Sequence, residues 1–252
     1  MPDASRLSAI YPSLKGKRVL ITGGGSGIGA GIVEAFARQG CDVTFIDINN
    51  KDSEELAQRT GTRFLRIDLT DTSATQQAIR KLIDKAGSID VLVNNAANDD
   101  RHSIADVTED YWNDRLNVNL KHQFFCAQAV LPSMRTKGDG VIINMGSISW
   151  HLGLPDLLLY ETCKAAIEGL TRALAREVGP DNIRVNCVVP GNVRTPRQLK
   201  WYTPEGEAEI VDAQCLKGRL VPEDIAAMIL FLASDDARLM TGHEYFVDAG
   251  WR

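Results

Sequence analysis

One stretch of the chain, GSISWHLGLPDLLLYETCK at 146–164, carries the side chains of a proton-transfer site. Tyr160 and Lys164 are four residues apart at the predicted start of a helix, so they share one face. A phenol with a pKa near ~10 is a poor base at neutral pH. A neighbouring ammonium group favours the phenolate, and a phenolate can take a proton from an alcohol as hydride leaves its carbon. Ser147 lies thirteen residues before Tyr160, at the end of a predicted strand, and can hydrogen-bond the same oxygen. Taken alone, Tyr-x-x-x-Lys reads equally well as a surface pair, so the elements around it must decide.

Short, β-branched and nearly continuous apolar runs occur at 18–22, 42–47, 63–68, 90–95, 140–146, 183–189 and 244–250. That is the pattern of strands buried on both faces. Helical patterns alternate with them at 27–39, 52–59, 72–86, 108–136, 160–178 and 222–233. The alternation predicts an α/β fold in one domain spanning 1–252. Its parallel sheet is doubly wound, with helices on both faces and right-handed crossovers. Residues 193–220 break the rhythm, with only a short helical patch near 205–214. A long loop carrying Trp201 and Tyr202 is expected to act as a lid.

The composition is that of an ordinary soluble domain, with 44% apolar and 24% charged residues among 252. A net charge of −5, from 28 basic and 33 acidic residues, argues against nucleic acid or an anionic membrane as partner. Cys41, Cys126, Cys163, Cys187 and Cys215 are scattered and form no CxxC pair. Small buried thiols fit this pattern better than a disulfide framework or a metal site, and no metal is expected. The first residues hold no apolar h-region, so no signal peptide is expected, and a cytoplasmic protein is the default.

After the first predicted strand comes TGGGSGIGAG, 22–31. Gly23, Gly27 and Gly29 stand between a strand and a helix, where glycine permits a tight turn and close approach of a pyrophosphate to the helix N-terminus. Gly25, Ser26 and Ile28 belong to the same turn. No Gly-Lys-Ser/Thr follows, which excludes a P-loop, and the position in the first βαβ unit makes the signal specific for a dinucleotide. The second strand ends at Asp47, about twenty residues on, where a carboxylate binds the ribose hydroxyls and repels a 2′-phosphate. Ile48 follows rather than a basic residue, which favours NAD over NADP. A cationic nicotinamide ring beside Tyr160 would further favour its phenolate.

Several motifs now stand in one order: TGGGSGIG (22–29), NNAA (94–97), Asn119 in NVNLK, Ser147, Tyr160-x-x-x-Lys164 and PGNVRT (190–195). Together they resemble the short-chain dehydrogenase/reductase superfamily over nearly the whole chain. The resemblance implies a single-domain, seven-stranded Rossmann fold. It makes Tyr160 the general acid/base and Ser147 the group that positions substrate. Lys164 would bind the nicotinamide ribose and tune Tyr160, and Asn119 would hold a water in a proton relay. It places Asp68 and Leu69 at the adenine, Asn95, Ala96 and Ala97 along the cofactor, and Pro190, Val193 and Thr195 near the carboxamide. NNAA stands where many members have NNAG, so Ala97 narrows that wall slightly. The family's habits also imply a homotetramer with 222 symmetry, built from the long helices and from a C-terminal tail ending in Trp251 and Arg252.

Segments outside the common pattern, including 98–112, GSISWHLG (146–153), 200–219 and GHEYFVDAGWR (242–252), resemble NAD-dependent aldopentose 1-dehydrogenases of the D-xylose and L-arabinose type. The implied reaction oxidises C1 of the cyclic sugar to an aldonolactone. Dehydrogenases of L-fucose or D-galactose are neighbours of that type. A polyol needs several fixed polar partners. Asn98, Ser149, His151 and Asn192 fall on loops after strand C-termini, with Ser147 and Tyr160, and Trp150 and Trp201 offer flat apolar faces. Two other readings stay open. A reductase of a hydroxysteroid or acyl-carrier thioester would show an apolar or basic 193–215 loop, and a non-catalytic dinucleotide sensor would lack Tyr160 or Lys164. The Asp47 reading has a direct check: Asp47→Ala lowers NAD affinity and narrows the preference over NADP in binding titrations, and an unchanged ratio of the two affinities contradicts it.

Overall fold

The structure, a computed structural model, describes residues 7–200 and 202–251. Seven strands form one sheet: β1 (Arg18–Thr22), β2 (Asp42–Asp47), β3 (Arg63–Arg66), β4 (Val91–Asn94), β5 (Gly140–Met145), β6 (Ile183–Pro190) and β7 (Glu244–Val247). Their order is β3-β2-β1-β4-β5-β6-β7 and every pairing is parallel. The helices between them are α1 (Gly27–Arg38), α2 (Asn50–Thr60), α3 (Thr72–Ala86), α4 (Glu109–Leu116), α5 (His122–Lys137), α6 (Ser149–Leu152), α7 (Leu158–Val178), α8 (Pro204–Ala213) and α9 (Pro222–Ala233).

Side chains of a strand alternate between sheet faces, and here both faces are covered. Val19 and Ile21 of β1 join Val91 and Val93 of β4 in a core with Phe36 of α1 and Ile225 and Ile229 of α9. Leu20 and Leu92 point the other way, into a core with Ile79 of α3, Val130 and Met134 of α5, and Val178 of α7. The chain winds outward from β1 through β2 to β3, then returns to place β4 on the other side of β1. Neighbouring loops diverge at that reversal and leave a crevice at the strand C-termini, the position where doubly wound sheets bind ligands.

Two departures from the sequence pattern bear on the site. The helix expected over 108–136 is interrupted: α4 and α5 are joined by a π turn, Asn117–Lys121, which holds Asn119. Such a turn adds a residue to one helical turn and re-aims the side chains that follow. The segment after Ser147, expected to be loop, forms the short helix α6. The thiols also differ in part: Cys126, Cys163 and Cys187 are buried, Cys41 is half-buried and Cys215 is exposed, and all five are free.

Beneath the crevice a buried polar ladder ties strands to helix. Asn94 Nδ2 of β4 donates to Asn144 Oδ1 of β5 at 2.9 Å, and Asn144 Nδ2 donates to Thr171 Oγ1 of α7 at 3.0 Å. All three residues are buried. A buried donor without an acceptor costs about 1–3 kcal/mol. Thr171→Val, which keeps the volume and removes the acceptor, is therefore expected to lower the unfolding free energy by about that much in urea titration; an unchanged midpoint and slope would remove the ladder from the account.

Candidate active site

The glycine turn sits where β1 meets α1. A Cβ on Gly29 would lie 1.8 Å from the Gly23 carbonyl oxygen, and one on Gly23 would lie 2.6 Å from Ala96 Cα. Gly23 also has a positive φ of 64°, a region that favours glycine. Asn95 Nδ2 donates to the carbonyl oxygens of Thr22 and Gly23, and Thr22 Oγ1 accepts from the backbone N–H groups of Asn95 and Ala96. The turn is thus braced by the end of β4 and leaves bare backbone at the N-terminus of α1. These features fit a dinucleotide pyrophosphate.

Asp47 stands at the end of β2 beside this turn. Its Oδ2 accepts from Gly25 N at 2.8 Å and its Oδ1 from Asn49 N at 2.9 Å. Asp68 is exposed and accepts from the backbone and hydroxyl of Thr70. Leu69 is buried in the core with Ile46 and Ile79, so its backbone rather than its side chain is left for a cofactor. The Thr195 methyl reaches toward Gly27, and Ile28, Ala97, Pro190, Val193 and Thr195 line one continuous cleft with Ser147, Tyr160 and Lys164.

α7 carries Tyr160 and Lys164 on one face, and β5 ends against it. Lys164 is buried, its Nζ donating to the Met145 carbonyl at 2.7 Å and lying 5.3 Å from the centre of the Tyr160 ring. Burial pushes the Lys164 ammonium down to about 8. Burial is also the largest influence on Tyr160, pushing the phenol above its usual value, and the Asp99 carboxylate adds to it. Hydrogen bonding from Ser147 and the charge of Arg197 pull the other way. The lowering expected from the ammonium together with a cationic nicotinamide is not reached in the polypeptide by itself, where desolvation dominates. His122, next to the π turn, is pushed down to about 3 by burial and by Lys164, so it stays neutral and competes for no proton.

The π turn gives Asn119 its place. Asn119 Oδ1 accepts from Asn98 N at 2.7 Å, and its Nδ2 donates to the Asn98 carbonyl at 3.0 Å. Asn98 is bound at its backbone, and its side-chain oxygen takes Arg197 and Asp100 N; it does not line the cleft. Ser149 does line it, donating to Ser147 Oγ at 3.0 Å, and so does Asn192. His151 does not: its Nε2 lies 3.1 Å from Glu168 Oε1, its ring lies tilted against Trp150 with centroids 3.8 Å apart, and Phe246 meets it edge-on. Trp150 Nε1 donates to the same carboxylate oxygen at 2.8 Å. A buried glutamate on α7 thus draws both aromatic rings off the cleft, a correction to their expected sugar contacts. Trp201 lies outside the described residues.

Other side chains stand in the cleft. Asp99, Gln198, Tyr202 and Trp251 line the cleft. Trp251, expected at a subunit interface, belongs within the chain to the apolar cluster of Ile148, Leu152 and Phe246 and lines the cleft. The 193–220 segment is tied at its base, where Val193 bridges Leu220 and Arg194 N donates to Leu220 O at 2.8 Å. Among the described residues no group of three or more His, Cys, Asp or Glu side chains could hold a metal ion.

Comparison with known proteins settles the kinship. A family model described as enoyl-(acyl carrier protein) reductase matches residues 23–252. D-xylose 1-dehydrogenase of Caulobacter vibrioides strain NA1000 is 65% identical over 250 residues, covering 97% of this chain and 99% of that protein. A Rhizobium meliloti protein named as a galactose dehydrogenase is 47% identical, covering 96% and 98%. The crystal structure of gox2181 superposes with a TM-score of 0.89 at 28% identity, covering 95% and 98%. The chain belongs to the short-chain dehydrogenase/reductase family. As such it is an oxidoreductase that uses a nicotinamide cofactor, and the glycine turn, Asp47 and the cleft beside Tyr160 are where its residues would hold one.

The burial of Lys164 has a consequence for stability. Its folded pKa of about 8 lies below the unfolded value near ~10.4. Between the two, the unfolded chain binds the proton and the folded chain does not, so this group's contribution to stability rises with pH. Lys164→Met lacks that dependence. Wild type is expected to gain stability relative to the variant between pH 7 and pH 9.5 in chemical unfolding; a difference independent of pH contradicts the shifted lysine.

Proposed function

We propose that this chain is an NAD-dependent sugar 1-dehydrogenase that oxidises the C1 hydroxyl of a cyclic aldopentose, D-xylose or L-arabinose, to the aldonolactone. The observation that carries the reading is the cleft itself: Tyr160, Ser147 and Lys164 meet polar side chains from three other segments, Asp99, Asn192, Gln198 and Tyr202. The same cleft also carries Ile148, Leu152, Leu154, Leu157 and Trp251, apolar surface against which the C–H faces of a sugar ring can pack. The likeness to D-xylose 1-dehydrogenase supports the same substrate class. The likeness to a probable galactose dehydrogenase favours, as second reading, a hexose whose ring hydroxyls match those of L-arabinose.

In this reading Ser147 holds the C1 hydroxyl through its Oγ, already oriented by Ser149. Tyr160 takes the hydroxyl proton as the C1 hydrogen leaves. Bound NAD supplies the hydride acceptor. Lys164, fixed by the Met145 carbonyl, keeps a cation against the Tyr160 ring and opposes the burial that holds the phenol protonated. Asn119, seated by the π turn, links the same face to the loop at Asn98. Asp47 favours NAD over NADP because its carboxylate stands at the glycine turn, where a 2′-phosphate would meet like charge. The reading includes a homotetramer, and the exposed Trp112, Phe124 and Leu158 of α4, α5 and α7 suit such an interface.

Two measurements test it. Tyr160→Phe is expected to abolish turnover while NAD binding persists, and more than a few per cent of wild-type activity would sink the acid/base assignment. An initial-rate panel of D-xylose, L-arabinose, D-galactose, L-fucose and D-glucose with NAD is expected to give fastest NADH formation with a pentose; no NADH with any of them overturns the sugar reading.

A further inference from the structure

One wall of the cleft is a single string of hydrogen bonds drawn from distant parts of the chain. Asp99, in the loop after β4, holds Arg197 Nε through Oδ1 at 2.9 Å and accepts from Gln198 Nε2 through Oδ2 at 2.7 Å. Gln198 Oε1 accepts from the Tyr202 hydroxyl at 2.8 Å. That hydroxyl accepts from Asn192 Nδ2 at 2.5 Å, and Asn192 Oδ1 accepts from Arg219 at 2.8 Å. Arg219 in turn is held by Glu207 of α8 at 2.6 Å and lies over the Tyr202 ring. The four inner members, Asp99, Gln198, Tyr202 and Asn192, all face the cleft beside Tyr160.

The ends of the string fix its direction. An ionised Asp99 only accepts hydrogen bonds and Arg219 only donates. Gln198 must therefore turn its amide N–H toward Asp99 and its oxygen toward Tyr202, and Asn192 must turn its oxygen toward Arg219 and its N–H toward Tyr202. Neither amide is free to flip. Each amide has two N–H groups and each carbonyl and hydroxyl oxygen two lone pairs, so the string leaves spare donors on Gln198 and Asn192 and spare acceptors on Asp99, Gln198 and Tyr202. A surface that alternates donors and acceptors in fixed orientation matches vicinal hydroxyls, each of which does both. It also penalises a misplaced hydroxyl, because a buried polar group then goes unpaired.

We propose that the Asp99–Gln198–Tyr202–Asn192 wall reads the sugar hydroxyls remote from C1 and so sets which aldose epimer this enzyme prefers. The proposal rests on the sugar-dehydrogenase reading and goes beyond it. It assigns discrimination to residues of the lid and the β4 loop rather than to the segment around Trp150 and His151. Tyr202 is its joint: the phenolic oxygen is the one atom bonded to both amides, and removing it frees both to rotate.

The test uses Tyr202→Phe, which keeps the ring under Arg219, and Gln198→Leu as an independent break in the same string. D-xylose and L-arabinose differ at one hydroxyl, so the ratio of their kcat/KM values reads the wall. In both variants that ratio is expected to move toward unity by about tenfold, the worth of one buried hydrogen bond. KM for the preferred sugar is expected to rise while kcat and the NAD dissociation constant stay near wild type. An unchanged ratio and KM overturn the proposal. Uniform loss across all sugars with weakened NAD binding also overturns it, since the string is then a clasp for the lid and not a reader. Wild type that oxidises no sugar removes the sugar reading and the wall together, and is told apart because it is seen before any substitution. If one variant does not fold, the other carries the test.

Discussion

The site depends on the burial of one ammonium group. Lys164 is enclosed by its own helix and the end of β5, with the Met145 carbonyl as its hydrogen-bond partner. Removing such a charge from water is unfavourable, and the pKa drop to about 8 records it. What the fold gains is position. Because the lysine is tied to the edge of β5, the helix that carries it must seat Tyr160 over the same edge, next to Ser147. The ladder Asn94–Asn144–Thr171 pins that helix to the two central strands from below. Ser147, Tyr160 and Lys164 are therefore set by the sheet and the helix tied to it rather than by the loops.

The loops add polar side chains to the cleft, Asp99, Asn192, Gln198 and Tyr202. The segment bounded by the Val193–Leu220 bridge contributes Val193, Thr195, Gln198 and Tyr202 to the lining of the cleft. Its hold on the β4 loop runs through Arg197, which bonds Asn98, Asp99 and Asp100 together. The same β4 loop carries Asn98, whose backbone is gripped by Asn119. Lid, β4 loop and π turn thus form one connected set around Tyr160. Asp99 belongs both to the polar wall and to the electrostatic surroundings of the phenol.

Much of this was legible in the sequence. Strand buried on both faces reads as continuous apolar residues, so the seven strands and most helices stand where the pattern places them. The glycine turn is equally plain, because only glycine tolerates the contacts at Gly23 and Gly29. The π turn was not legible: Asn117–Lys121 has ordinary helical composition, and its extra residue is a matter of backbone geometry. His151 and Trp150 were misplaced for a different reason. Their partner, Glu168, lies a further seventeen and eighteen residues along the chain on a helix face, and local pattern carries no sign that a buried carboxylate will claim them. Tyr202 was visible as a residue of the long loop, but Asp99 and Asn192 come from two other loops, and only the fold brings the three together.

The central claim is that Tyr160 acts as the base from a buried position where the Asp99 charge helps to hold its proton. The pH profile of kcat/KM for pentose oxidation, compared between wild type and Asp99→Asn, tests it most directly. Activity rises with pH as the phenolate forms, and loss of the negative charge lowers the phenol pKa. The account predicts that the rising limb in Asp99→Asn moves to lower pH. A limb that stays in place, or moves to higher pH, would contradict it.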